Sequence, residues 1–195
     1  MSEKKIRIVS YPEVIGMESL MEPSILLLGP VLGSSMDILE FTIKHIQTML
    51  EGDEFKNMHG LTLVTTRYLE DGFKHINQFE YNKWVTYMIG EHAKRDLGRV
   101  VLVMIPKENG VVSNPVRGYA RHTSFELGYL IGVNARLAVY IDNEFCEYKY
   151  YHDTVTGNKP GFQIYTDPLL AIQDAIMMAL RTSKVSKTGG STVVF

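Results

Sequence analysis

Apolar residues in this chain come in two rhythms: short unbroken runs, and longer stretches in which they return every third or fourth place. The runs are "SILLLG" (24–29), "LTLVTT" (61–66), "RVVLVMIP" (99–106), "LAVYI" (137–141) and "FQIY" (162–165). A run apolar at every position suits a strand buried on both faces, the usual condition in a parallel sheet. Between the first two runs, Met36, Leu39, Ile43, Ile46 and Leu50 mark one face of a helix, with Ser34 or Ser35 as its N-cap and Gly52 beyond its end. Asn77 is placed to cap a second helix, from about Phe79 to Lys94, with Trp84, Met88 and Ile89 facing inward. A third helix is expected from Ser124 to about Gly132. The last opens on Asp167-Pro168 and carries Leu169, Ile172, Ile176 and Leu180 on one stripe. "IRIVSY" (6–11) offers an additional edge strand, and residues 146–165 read as a hairpin excursion around Gly157-Asn158.

Strands alternating with helices predict an α/β domain, a parallel sheet of about five strands with helices on both faces. The expected organisation is an N-terminal extension (1–23), one α/β domain (24–183) and a tail (184–195) that is flexible or docks on a neighbouring subunit. Ligands of such sheets bind beyond the carboxyl ends of the strands. Here that edge comprises residues 29–35, 65–73, 106–126 and those following Ile141.

Composition narrows the choice of partners. Twenty lysines and arginines against 22 acids leave a formal charge of −2, without the basic field that holds a nucleic-acid polymer. No apolar run approaches the roughly 20 residues of a membrane-spanning helix, so a soluble, cytoplasmic protein is expected. A single cysteine, Cys146, precludes an internal disulfide. The six histidines show no metal-ligand spacing, and neither a metal nor a cofactor is called for.

Candidate chemistry gathers at the carboxyl edge. "GPVLGSS" (29–35) lacks both the lysine of a phosphate loop and the glycine spacing of a dinucleotide fingerprint. Two readings stay open for Gly29, Pro30, Gly33 and Ser34: a site for an anion or sugar hydroxyl, or a plain turn and helix cap. Glu126 also has two. With Thr123 as N-cap it occupies the glutamate position of a capping box. Alternatively it is a carboxylate held ionised at the positive end of a helix, at the ligand edge, and able to attack an anomeric carbon. Arg117, Arg121 and His122 precede it and suit a phosphate. Asp96 lies just ahead of the third apolar run, where an acid near a helix C-terminus wants a reason.

In their order and spacing, "ILLLGP", "NQFEYNKW" and "VVLVMIP...TSFELG" resemble the nucleoside 2-deoxyribosyltransferase family and its nucleotide N-glycosidase relatives, over about residues 24–141. The resemblance implies a flavodoxin-like sheet, a small nucleoside or nucleotide as partner and a homo-oligomer. It also implies double displacement at a deoxyribose carbon, with Glu126 as nucleophile, Gly29 and Pro30 bordering the sugar, and Asp96 as the second acid. The chain departs from the family's usual pattern in that Trp84 is followed by Val85 and Asp96 lies twelve residues further on. Transfer to a second base and hydrolysis both remain open. So do a nucleotide-binding sensor or assembly subunit without turnover, and a NAD-cleaving effector.

Overall fold

The computed structural model describes residues 5–11, 23–30, 34–52, 55, 60–66, 77–94, 98–109 and 120–188; of Lys5 and of residues 182–188 it describes the backbone only. Six parallel strands stand in the order β1-β3-β2-β4-β5-β6. They are β1 (Lys5–Val9), β2 (Ser24–Leu28), β3 (Gly60–Thr65), β4 (Arg99–Ile105), β5 (Leu137–Ile141) and β6 (Ile164–Tyr165). Interleaved are α1 (Ile38–Glu51), α2 (Gln78–His92), α3 (Arg121–Gly132), α4 (Tyr148–Asn158) and α5 (Pro168–Thr188). The expected α/β architecture is therefore present. There are six strands instead of about five, because the edge segment forms β1 and pairs with β3 from Lys5↔Gly60 to Val9↔Val64.

Every residue of β2, β4 and β5 is buried. Their side chains divide strictly by parity between two cores. Leu26, Leu28, Val101, Val103, Ile105, Val139 and Ile141 meet Trp84, Met88 and Ile89 of α2, Leu127 and Leu130 of α3, and Tyr151 and Val155 of α4. Ile25, Leu27, Val100, Leu102, Met104, Ala138 and Tyr140 meet Ile38, Leu39, Ile46 and Leu50 of α1 and the Ala171, Ile172, Ala175, Ile176, Ala179 stripe of α5. Apart from β1, the strand order is that of a flavodoxin-like sheet, and its direction of progression reverses between β2 and β4.

Several local expectations are corrected. α1 is capped by Asp37, whose Oδ1 accepts from the amides of Leu39 (3.1 Å) and Glu40 (3.0 Å). The Ser34 hydroxyl instead serves Met36, donating to its carbonyl at 2.7 Å and accepting from its amide at 3.2 Å. Residues 148–158 form α4 in place of a hairpin. Tyr151 and Val155, one turn apart, fill the core beside Phe145, and that helical period outweighs the turn signal of Gly157-Asn158. On α5, Ile172 and Ile176 are buried as expected and are joined by Ala171, Ala175 and Ala179, whereas Leu169 is solvent-exposed. The helix runs to Thr188, into the segment expected to be a tail; residues 189–195 lie outside the described residues. Asn77 caps α2 and Asp167 binds the Leu169 amide at 2.8 Å, both as the sequence predicts.

At the amino edge, α2 is tied to the strands by polar contacts. His92 Nε2 lies 2.9 Å from the Ser24 hydroxyl and Nδ1 lies 2.8 Å from the Met88 carbonyl. Burial pushes the imidazole down to about 4, so it is neutral near pH 7. The buried Arg99 donates to both the carbonyl (2.9 Å) and the carboxylate (2.7 Å) of Glu91. Burial works against that carboxylate, but hydrogen bonds from Lys94 and Arg99 outweigh it and hold Glu91 below its ordinary range.

Candidate functional site

Because the strands are parallel, their carboxyl ends open on one edge. Gly29-Pro30 leaves β2 there, Pro106 leaves β4 and Asp142 leaves β5. These exits are laced together. Ser34 and Glu108 form an antiparallel bridge, and the Ser35 amide donates to the Lys107 carbonyl at 3.0 Å. The Asp142 amide reaches the Ile105 carbonyl at 2.9 Å, and Lys107 pairs with Glu144. Cys146 Sγ lies 3.0 Å from Glu108; that hydrogen bond, with burial, pushes the thiol up to about 11, far from a reactive thiolate.

Gly29 has a packing reason of its own. A Cβ there would sit 2.4 Å from Ile38 Cδ1 and 2.5 Å from the Met104 carbonyl oxygen, so only a bare backbone lets the β2 exit pass β4. Pro30 is buried beside it, and the Ser34 hydroxyl is spent on Met36. Gly33 and Arg117 lie outside the described residues, as does Asp96.

Glu126 departs most from expectation. The capping-box reading is overturned: α3 begins at Arg121, its N-cap is Ala120 in a left-handed conformation (φ 57°), and no side chain caps it. Thr123 is a buried interior residue of the helix, and Glu126 is its sixth residue, past the first turn where a helix dipole acts most strongly. Sequence reasoning started the helix three residues late because Thr123 and Glu126 mimic a cap. His122 and Thr123, four and three residues earlier, share the flank of α3 that carries Glu126, whereas Arg121 is turned about 140° away. Both His122 and Arg121 are exposed.

Among the described residues no group hydrogen-bonds or pairs with the Glu126 carboxylate, and burial alone pushes it from 4.5 up to about 7. Burial thus works against the ionised state expected of a carboxylate near the helix start. An acid half-protonated near neutrality is suited to proton transfer or, once ionised, to nucleophilic attack in a poorly solvated setting.

Sequence reading passed over an aromatic group at the same edge. Tyr11, which follows β1, packs edge-on against Tyr81 (5.8 Å between centroids) and Trp84 (6.0 Å), and the Tyr81 hydroxyl donates to the Thr66 carbonyl at 2.6 Å. The three-residue spacing of Tyr81 and Trp84 was the available signal. Among the described residues, no three potential ligands are grouped to hold a metal ion, and no helix is long and apolar enough to cross a membrane. No protein-family model matches the chain, and no curated protein is significantly similar to it.

Two stability measurements separate the roles of these residues. Gly29→Ala should cost about 1–3 kcal/mol in urea denaturation through the clash with Met104 and Ile38; unchanged stability would mean that the β2 exit is not packed this closely. For Glu126 the sign runs the other way. Its raised pKa means that the folded chain keeps a proton the unfolded chain releases, so rising pH between 4.5 and about 7 removes on the order of 3 kcal/mol from the native state. Glu126→Gln should therefore be more stable than the natural chain at pH 8, by up to that amount, with the gain vanishing toward pH 4. A variant destabilised at both pH values would show that the carboxylate is anchored.

Proposed function

We propose that this protein cleaves or exchanges the N-glycosidic bond of a nucleoside or nucleotide, with Glu126 as the attacking group. The observation that supports this most is the carboxylate itself: mostly buried, without a partner among the described residues, and kept at a cost to stability on a helix that starts from the ligand edge. A group that only shaped the fold would be better replaced by an apolar or amide side chain. The resemblance of "TSFELG" to the deoxyribosyltransferases supplies the reaction class.

In the first step an ionised Glu126 oxygen attacks the anomeric carbon. A C–O bond forms as the C–N bond breaks, and the electron pair leaves with the base, which takes up a proton. In the second step the nitrogen of another base, or water, displaces the carboxylate and gives up a proton. In this reading His122, exposed on the flank of α3 that carries Glu126, meets the sugar or its phosphate, while Thr123, which is buried, supports the helix beneath it. Gly29 and Pro30 shape the floor where the sheet's progression reverses. Asp96 lies outside the described residues and is assigned no step here.

Incubating the protein with deoxynucleosides and deoxynucleotides, with and without an acceptor base, should release or exchange base. Glu126→Gln should lose on the order of 10³-fold or more in kcat/KM. Because attack needs the ionised form, kcat/KM should rise with pH to a plateau above about 7 and drop about tenfold per unit below it. Saturable nucleotide binding without turnover, or a fully active Glu126→Gln, would defeat the proposal.

A further inference from the structure

α3 starts where its own sequence does not direct it. Its N-cap, Ala120, holds a left-handed conformation (φ 57°), a costly region for any residue with a Cβ, and no side chain caps the first turn. α1 and α2, by contrast, are capped by Asp37 and Asn77. What holds the start at Ala120 is its carbonyl, which accepts from the Ser124 amide (3.0 Å) and the Ser124 hydroxyl (2.9 Å), together with the burial of Ala120 and Thr123. At Thr123 the sequence provides a second place to begin. With Thr123 as N-cap, its hydroxyl accepts from the Glu126 amide while the Glu126 carboxylate accepts from the Thr123 amide.

Little separates these two starts. Passing from the first to the second breaks the backbone bonds by which the amides of Ser124, Phe125 and Glu126 reach the carbonyls of Ala120, Arg121 and His122. In return Ala120 leaves the left-handed region and the Glu126 amide gains a new acceptor. A mostly buried carboxylate, unpartnered among the described residues, gains a hydrogen bond. Arg121 and His122 are exposed already, so the unwound turn gives up burial chiefly at Ala120 and Thr123.

We propose that α3 exchanges between these two starts, with the one at Thr123 populated on the order of 1%, and that in this minor form Glu126 is tied to the end of its own helix. A carboxylate bonded to the Thr123 amide is spent on capping and is no longer free at the ligand edge. For the reaction proposed above this is a self-blocked form of the site. That consequence rests on the reaction; the two starts rest only on the contacts of α3.

Residue-resolved amide hydrogen exchange on the full chain, followed by NMR, tests the proposal without substrate, so its outcome is independent of the reaction. In the minor form the amides of Ser124 and Phe125 have no acceptor, whereas Leu127 keeps the Thr123 carbonyl. Ser124 and Phe125 should therefore exchange at least about tenfold faster than Leu127. Thr123→Val keeps the shape of a buried side chain and removes the capping hydroxyl, so it should slow Ser124 and Phe125 about five- to tenfold. Thr123→Ser keeps the hydroxyl and should leave their exchange at least as fast as in the natural chain. Ala120→Gly is at ease in the left-handed region and should slow both amides as well. Ser124 and Phe125 as well protected as Leu127 would overturn the proposal, as would unchanged rates in Thr123→Val or equal slowing in Thr123→Ser. Should Thr123→Val fail to fold, Ala120→Gly decides: slower exchange supports the second start, and unchanged or faster exchange contradicts it.

Discussion

Seven consecutive buried residues in β4 leave that strand no face for solvent, and much of the molecule follows from this constraint. Both sides of the sheet must be covered, so the chain crosses over with a helix after each strand from β2 to β5, and the strands run parallel. Parity then sends neighbouring residues of β2, β4 and β5 to different cores. With the faces occupied, chemistry is left to the edges. The carboxyl edge collects the loops from which α1, α2 and α3 start, and the reversal between β2 and β4 parts those loops where Gly29 slips past the Met104 carbonyl.

The two edges treat ionisable groups differently. At the amino edge, burial is only partly compensated: Arg99 has Glu91 although its Nε finds no partner among the described residues, and His92 is neutral between Ser24 and Met88. At α3 the burial of Glu126 is uncompensated among the described residues.

The fold was largely legible because β2, β4 and β5 are apolar at every position and α1, α2 and α5 carry a clean period. Asn77 and Asp167, short acceptors ahead of amphipathic stretches, marked their helix starts correctly. Where residues offered two local solutions, sequence could not choose between them. Ser34, Ser35 and Asp37 could each cap α1, and the loop contacts of Ser34 and Ser35 decided for Asp37. Thr123 and Glu126 imitate a capping box, yet Ala120 adopts a left-handed conformation and starts the helix earlier. A Gly-Asn pair suggested a hairpin, but packing of Tyr151 and Val155 drew the segment into α4. At the site, Glu126 was legible as a candidate carboxylate near the carboxyl edge, though not its electrostatic state. That state is set by burial against other elements, which no local pattern encodes.

The account rests on a side chain whose charge is suppressed by its surroundings. Carbon-13 labelling of glutamate, with the Glu126 carboxyl resonance assigned through Glu126→Gln, would report its titration directly in the folded protein. The account predicts a midpoint near 7. A midpoint at the ordinary glutamate value of 4.5 would show a solvated or paired carboxylate and remove the physical basis for its role.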